Sequence, residues 1–115
     1  MFEKINLRGG ILIYDTFNID LTKPPIGQDF NLSEDLIQIK YTKRYTVDVG
    51  WYPRYSPKGF FIICVVEDHD YDEPLLKIKV KKFDKFIKSL QKAIDFMDQF
   101  LKDNPNRPLR EMDFE

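Results

Sequence analysis

The chain has 115 residues, of which 43% are hydrophobic and 32% are charged. This length and composition predict one soluble globular domain, residues 1–115, that buries about two-thirds of its unfolded surface. The net charge of −1 excludes a strong overall attraction to nucleic acid or to an anionic membrane.

The first third of the chain, residues 1–35, is predicted to form an N-terminal hairpin and a loop. Segments 4–8 and 11–17 flank the pair Gly9-Gly10. Glycine tolerates the positive φ that two-residue hairpin turns require, so this pair is a turn signal. The rest of the region, up to residue 35, contains two adjacent prolines, a glycine and an asparagine, which predict a loop.

Residues 36–81 are predicted to form a β-meander. Segments 36–41 and 45–52 alternate apolar with polar residues, a period of two that is typical of strands with one buried side. Segment 60–66 (FFIICVV) is apolar on both faces, which predicts a central, doubly covered strand. Segment 75–81 has apolar side chains on one face and lysines on the other.

The apolar period changes to 3.6 residues over segment 83–102. Apolar residues recur there at i, i+3, i+4 and i+7, which predicts an amphipathic helix of about five turns. Asn104 and Pro105 end the helix, and residues 103–115 are predicted to be an irregular tail. The predicted fold class is therefore α+β, an antiparallel β-meander of four to six strands packed against one long C-terminal helix.

A single helix covers only one face of the central strand. Phe61, Ile63 and Val65 lie on one face of this strand and Phe60, Ile62 and Val66 on the other, and the face that the helix leaves uncovered must be buried by the N-terminal segment, by lysine stems or by another chain. A homodimer through this uncovered sheet face is thus one possible assembly.

The acidic segment 67–73 (EDHDYDE) holds five carboxylates and the only histidine. It does not fit a calcium loop, because Glu73 stands where the sharp turn needs glycine and Lys79 stands where the last carboxylate belongs. One histidine without a second histidine or a nearby cysteine does not make a transition-metal site. We therefore predict no metal ligands, no cofactor and no catalytic residues, and expect loop charges that stay ionised and contribute little to stability.

Two groups of residues are candidates for contact with a protein partner. The first group is Tyr52 and Tyr55 in a turn-rich corner, because tyrosines give large contact areas at a low entropic cost. The second group is the acidic segment. Trp51, next to Tyr52, shares a face with Val47 and Val49 and is expected in the core. The alternative for the acidic segment is a solvated connection that discourages strand pairing. The candidate partner-binding residues are Glu67, Asp68, Asp70, Asp72, Glu73, Tyr52 and Tyr55.

The lysines of segment 75–81 suggest a second type of partner. Lys77, Lys79 and Lys81 lie on one predicted sheet face and could follow a phosphate backbone. The strand has no exposed aromatic residues between these lysines for base stacking, so lysine stems lying over apolar atoms are the better interpretation.

The single cysteine, Cys64, cannot form an internal disulfide, which suits a reducing compartment. The first ten residues, MFEKINLRGG, lack the apolar core of a signal peptide. No apolar stretch reaches the roughly 20 residues of a membrane span. We therefore expect a cytoplasmic protein that does not bind a membrane.

Residues 35–94 contain, in order, VDVGWYP, a strand of glycine followed by aromatic and apolar residues, an acidic turn that ends in Pro-Leu, and an amphipathic helix. In this series the chain resembles bacterial immunity proteins of polymorphic-toxin and contact-dependent inhibition systems. The resemblance implies a non-enzymatic toxin inhibitor that binds a cognate toxin domain, often a nuclease. The acidic loop would then steer association with a basic cleft. The alternatives are a small nucleic-acid-binding protein with a lysine-rich sheet face and a dimerising adaptor subunit.

Overall fold

The structure, a computed structural model, describes residues 2–17, 20–23, 35–53, 56 and 58–105. Short 3-10 turns precede the first strand and the helix. The regular elements within these ranges are β1 (Ile11–Asp15), β2 (Ile37–Tyr41), β3 (Tyr45–Tyr52), β4 (Phe60–Glu67), β5 (Leu76–Val80) and α1 (Phe86–Asp103).

The five strands form one antiparallel sheet in the order β1-β2-β3-β4-β5, and α1 follows the sheet. This confirms the predicted α+β fold of a meander and one long helix. The longest pairing joins β3 to β4 over eight residue pairs, from Tyr45 with Glu67 to Tyr52 with Phe60. In β2 every second residue is fully or almost fully buried, as the period of two predicts.

The core lies between α1 and one face of the sheet. The helix buries Phe86, Leu90, Ile94 and Met97 completely, which are four of the positions that its 3.6-residue period predicts. Aromatic rings fill the space below the start of the helix, where the Phe61 ring lies 4.3 Å from the Phe86 ring and 5.0 Å from the Trp51 ring, centre to centre. Trp51 is fully buried, as expected, and its indole N–H donates to the Ser56 carbonyl at 2.7 Å.

The N-terminal hairpin prediction is wrong. Residues 5–10 form no strand, and β1 pairs with β2. The N-terminal segment is held on the helix instead, because the Gln91 amide accepts from the Asn6 N–H at 2.8 Å and donates to the Asn6 carbonyl at 3.0 Å. A Cβ at Gly10 would overlap the Tyr41 ring. Gly10 is thus needed for close packing against Tyr41. The sequence alone does not distinguish a glycine needed for packing from a glycine needed for a turn.

The sheet face opposite α1, called the open face below, is partly covered by side chains of its own strands. Cys64 and Val66 are buried on this face, and Phe60 and Ile62 are half-buried. The Lys79 ammonium lies 4.0 Å from the centre of the Phe60 ring, so this lysine covers apolar surface as expected. The loop predicted up to residue 35 and the tail predicted from residue 103 fall mostly outside the described residues.

Candidate functional site

The acidic turn, residues 67–73, begins at the last residue of β4 and leads towards β5. Asp68 and His69 both adopt left-handed backbone conformations, with φ of 55° and 59°. Aspartate and histidine are among the few non-glycine residues that tolerate this region. The Asp70 N–H then donates to the Glu67 carbonyl at 3.1 Å, which closes the turn.

Arg44, in the turn between β2 and β3, anchors the acidic turn from below. Its guanidinium lies 3.0 Å from a Glu67 carboxylate oxygen and 3.3 Å from an Asp68 carboxylate oxygen. The Tyr45 hydroxyl also donates to Glu67, at 2.9 Å, and the Asp68 N–H donates to the Arg44 carbonyl at 2.6 Å. Burial lowers the pKa of Arg44, but the hydrogen bond and charge of Asp68 and the charge of Glu67 outweigh it and raise the pKa above its usual value.

Two of the five predicted partner-binding carboxylates are therefore internal groups. Glu67 is 5% exposed, and the Asp68 side chain is 3% exposed. The expectation that both are solvated loop charges is wrong, because both contact the buried guanidinium of Arg44. Their role in this fold is to hold the turn, since buried carboxylates need a paired cation and hydrogen bonds.

The remaining residues of the turn form an exposed surface, called the acidic tip: His69, Tyr71, Asp72 and Glu73. Tyr71 is 46% exposed. Asp70 is half-buried and accepts a hydrogen bond from the Glu73 N–H at 3.2 Å, which orders the tip locally. The acidic tip thus presents one aromatic side chain between negative charges.

The turn-rich corner, which contains Tyr52 and Tyr55 in the sequence, follows the end of β3 that is opposite to the acidic turn. Tyr52 pairs with Phe60, whereas the acidic turn starts next to Tyr45. Tyr52 is half-buried on the open face, and Tyr55 lies outside the described residues. Partial burial raises the pKa of Tyr71 to about 12, and the charge of Asp48 adds to the shift. Tyr52 and the acidic tip therefore lie at opposite ends of the β3–β4 pair.

A row of polar side chains, called the polar row, crosses the open face. Residues directly opposite each other on paired strands share a face, so strand register aligns this row. It consists of Tyr14, Gln38, Asp48, Cys64 and Lys77, one residue from each strand in order.

Asp48 supplies the carboxyl group of the polar row. It is 7% exposed, and the Gln38 amide donates to it at 3.2 Å. Burial raises the pKa of Asp48 to about 6, and the nearby Asp35 adds to the shift. Sequence reasoning missed this residue. The available signal was an aspartate in the middle of a strand of aromatic and β-branched residues, where aspartate is depleted.

The Cys64 thiol, which lies opposite Asp48 in the sheet, has a raised pKa, whereas a catalytic thiol has a lowered pKa. Burial raises the pKa of Cys64, and the Asp48 charge raises it further. A protonated thiol is a poor nucleophile.

Within the ranges that the structure covers, no three histidine, cysteine, aspartate or glutamate residues are grouped so that they could hold a metal ion. In the same ranges, no helix is both long and apolar enough to cross a bilayer.

A comparison of the chain with protein-family models, with curated proteins and with solved structures found no match. The resemblance to immunity proteins therefore stays a prediction.

Proposed function

We propose that the chain is a non-enzymatic binding protein that neutralises a toxin domain, as an immunity protein does, and that it contacts a basic surface of that domain with its acidic tip. The observation that supports this most directly is the anchoring of the tip. Arg44 holds Glu67 and Asp68 inside the fold, so the following residues are presented on a fixed backbone. A pre-organised surface loses less conformational entropy when it binds.

The composition of the tip fits a basic partner. Tyr71 can insert an amphipathic ring into a partner pocket, and tyrosine is enriched among the residues that dominate binding energy. Asp72 and Glu73 follow Tyr71 in the turn and are exposed. Carboxylates placed this way attract arginine and lysine side chains and steer the encounter of the two proteins.

A nuclease toxin is the partner class that this chemistry favours. The groove of a nuclease is basic because it binds phosphates, and the carboxylates of the tip would occupy phosphate positions. The attraction is local, since the whole chain has a net charge of only −1. Nucleic acid is the less favoured partner, because Lys79 of the lysine face is engaged with the Phe60 ring.

Co-expression tests the proposal. The chain is produced together with a candidate nuclease toxin domain, and cell growth is measured. We expect the wild type to protect the cells, and Tyr71→Ala and the double variant Asp72→Asn with Glu73→Gln to protect them less. Asp84→Asn is the matched control for Asp72→Asn, because Asp84 is an exposed acid just before α1. Equal protection by the wild type and all tip variants would contradict the proposal.

A further inference from the structure

The edge strand β1 is the most exposed apolar element among the described residues. Ile11 is 68% exposed and Ile13 is 52% exposed, and Leu12 and Tyr14 are also exposed. In the described fold β1 pairs on one side only, with β2. Main-chain N–H and C=O groups along the other side of β1 therefore point away from the sheet, where they can pair with another strand.

The two edges of the sheet differ in how they are protected. The opposite edge, β5, carries the exposed lysines Lys77 and Lys79. Lysine on an edge strand discourages pairing with another chain, because pairing would bury its charge. No charged residue interrupts β1 from Ile11 to Tyr14. An exposed apolar edge strand can pair with another chain, although the register shift of β1 against β2 between Leu12 and Tyr14 shortens its regular part.

The charges at the two ends of β1 favour a second copy of the chain as that partner. Arg8 lies before the strand and Asp15 ends it. In an antiparallel pair of identical strands whose residues 11–14 face one another, the start of β1 in one copy, which follows Arg8, lies beside the Asp15 end of the other copy. The Arg8 guanidinium contacts Asp95 at 3.0 Å but is still 44% exposed, so it has room for a second carboxylate. The net charge of −1 does not oppose self-association.

We propose that two copies of the chain pair antiparallel along their β1 strands and join their five-stranded sheets into one sheet. The interface is related by a twofold axis, so the same strand serves on both sides. Strands β2 and β3 separate β1 from β4, which leads into the acidic turn. The dimer therefore leaves the acidic tip accessible, and this inference does not rest on the proposed function.

Sedimentation equilibrium over about a hundredfold range of protein concentration tests the dimer. We expect concentration-dependent dimerisation of the wild type. Ile13→Lys should raise the dissociation constant of the dimer at least about tenfold, because the new charge is buried on pairing. Tyr71→Lys is the matched control, since it places the same charge at another exposed apolar residue, and it should dimerise like the wild type. A wild type that stays monomeric throughout, or an Ile13→Lys variant that dimerises equally well, would overturn the proposal.

Disulfide trapping gives an independent readout of the same contact. Cys64 is buried, so a cysteine introduced into β1 is the reactive thiol. Opposed residues of antiparallel strands have Cα atoms about 4.5–5.5 Å apart, which is within reach of a disulfide. Cysteines are placed singly at residues 11–15, and neighbouring variants are also mixed. One position or one mixture should form covalent dimers much faster than Asp84→Cys. Equal rates at all positions and in the control would refute pairing through β1.

Discussion

Replacing Asp48 with asparagine should stabilise the protein at alkaline pH. The Asp48 carboxyl group is almost fully buried and receives one hydrogen bond, from the Gln38 amide. The groups that influence or face it are Asp35, Cys64 and Tyr71, and none of these is a cation. Asparagine keeps the shape and an acceptor oxygen for Gln38, and removes the charge.

The size of the effect follows from the pKa of Asp48, which rises from 3.8 to about 6 on folding. A raised pKa means that the folded state binds the proton more tightly than the unfolded state. The stability contributed by the protonated carboxyl is fully present below the unfolded pKa of 3.8 and is lost as the pH rises through about 6. A shift of about two units corresponds to about 3 kcal/mol of unfolding free energy.

Urea unfolding of both proteins from about pH 4 to pH 8 measures this difference directly. We expect Asp48→Asn to be more stable than the wild type by about 1–3 kcal/mol at the alkaline end, with the difference shrinking as the pH falls through 6. Asp72→Asn is the control, because Asp72 is exposed. A difference that does not depend on pH, or a variant that is less stable at the alkaline end, would refute the account of Asp48.

Three further predictions concern the anchor, the helix and metal binding. Arg44→Met should lower the unfolding free energy by about 3–5 kcal/mol in urea unfolding, because Glu67 and Asp68 lose their buried cation. Leu90→Ala should cost about 2–5 kcal/mol by the same measurement, since Leu90 is a fully buried residue of α1. Calorimetric titration with calcium, zinc or manganese should show no site tighter than about millimolar, and a tight site abolished in His69→Ala would contradict this.

The periodicity of the sequence was sufficient to predict the meander and the helix. Segments with a period of two became β2 and β3, and the 3.6-residue period became α1. The predicted hairpin failed because the same glycine pair serves two needs: Gly9 has a φ of 84°, as a turn requires, while Gly10 makes room for Tyr41. The N-terminal segment contacts Gln91 of the helix, and β1 pairs with β2.

The acidic turn lies where the sequence predicted a surface loop, but two of its carboxylates are internal. The concentration of acids in segment 67–73 identified the turn, and its exposed end agrees with the prediction. The internal role of Glu67 and Asp68 depends on Arg44, more than twenty residues earlier in the sequence. The local sequence around residues 67–73 does not predict the contact with Arg44. The contact follows from the register of β3 and β4, in which Tyr45 lies opposite Glu67.

Removing the charge of Asp68 is consequently not a neutral change. Considered as an exposed loop charge, Asp68 should have little effect on stability. Its contact with Arg44 means that Asp68→Asn weakens the anchor as well as the field of the turn. Variants that test partner binding should therefore be restricted to Tyr71, Asp72 and Glu73, which are exposed.

The association rate with the cognate toxin domain tests the central claim most directly. Stopped-flow mixing of the toxin domain with the wild type and with the Asp72→Asn, Glu73→Gln double variant gives this rate at each salt concentration. We expect slower association of the double variant at low salt, and a difference that shrinks above about 0.15 M salt, where the Debye length falls to about 8 Å. Equal association rates of the two proteins at low salt would contradict the proposal that the acidic tip binds the partner.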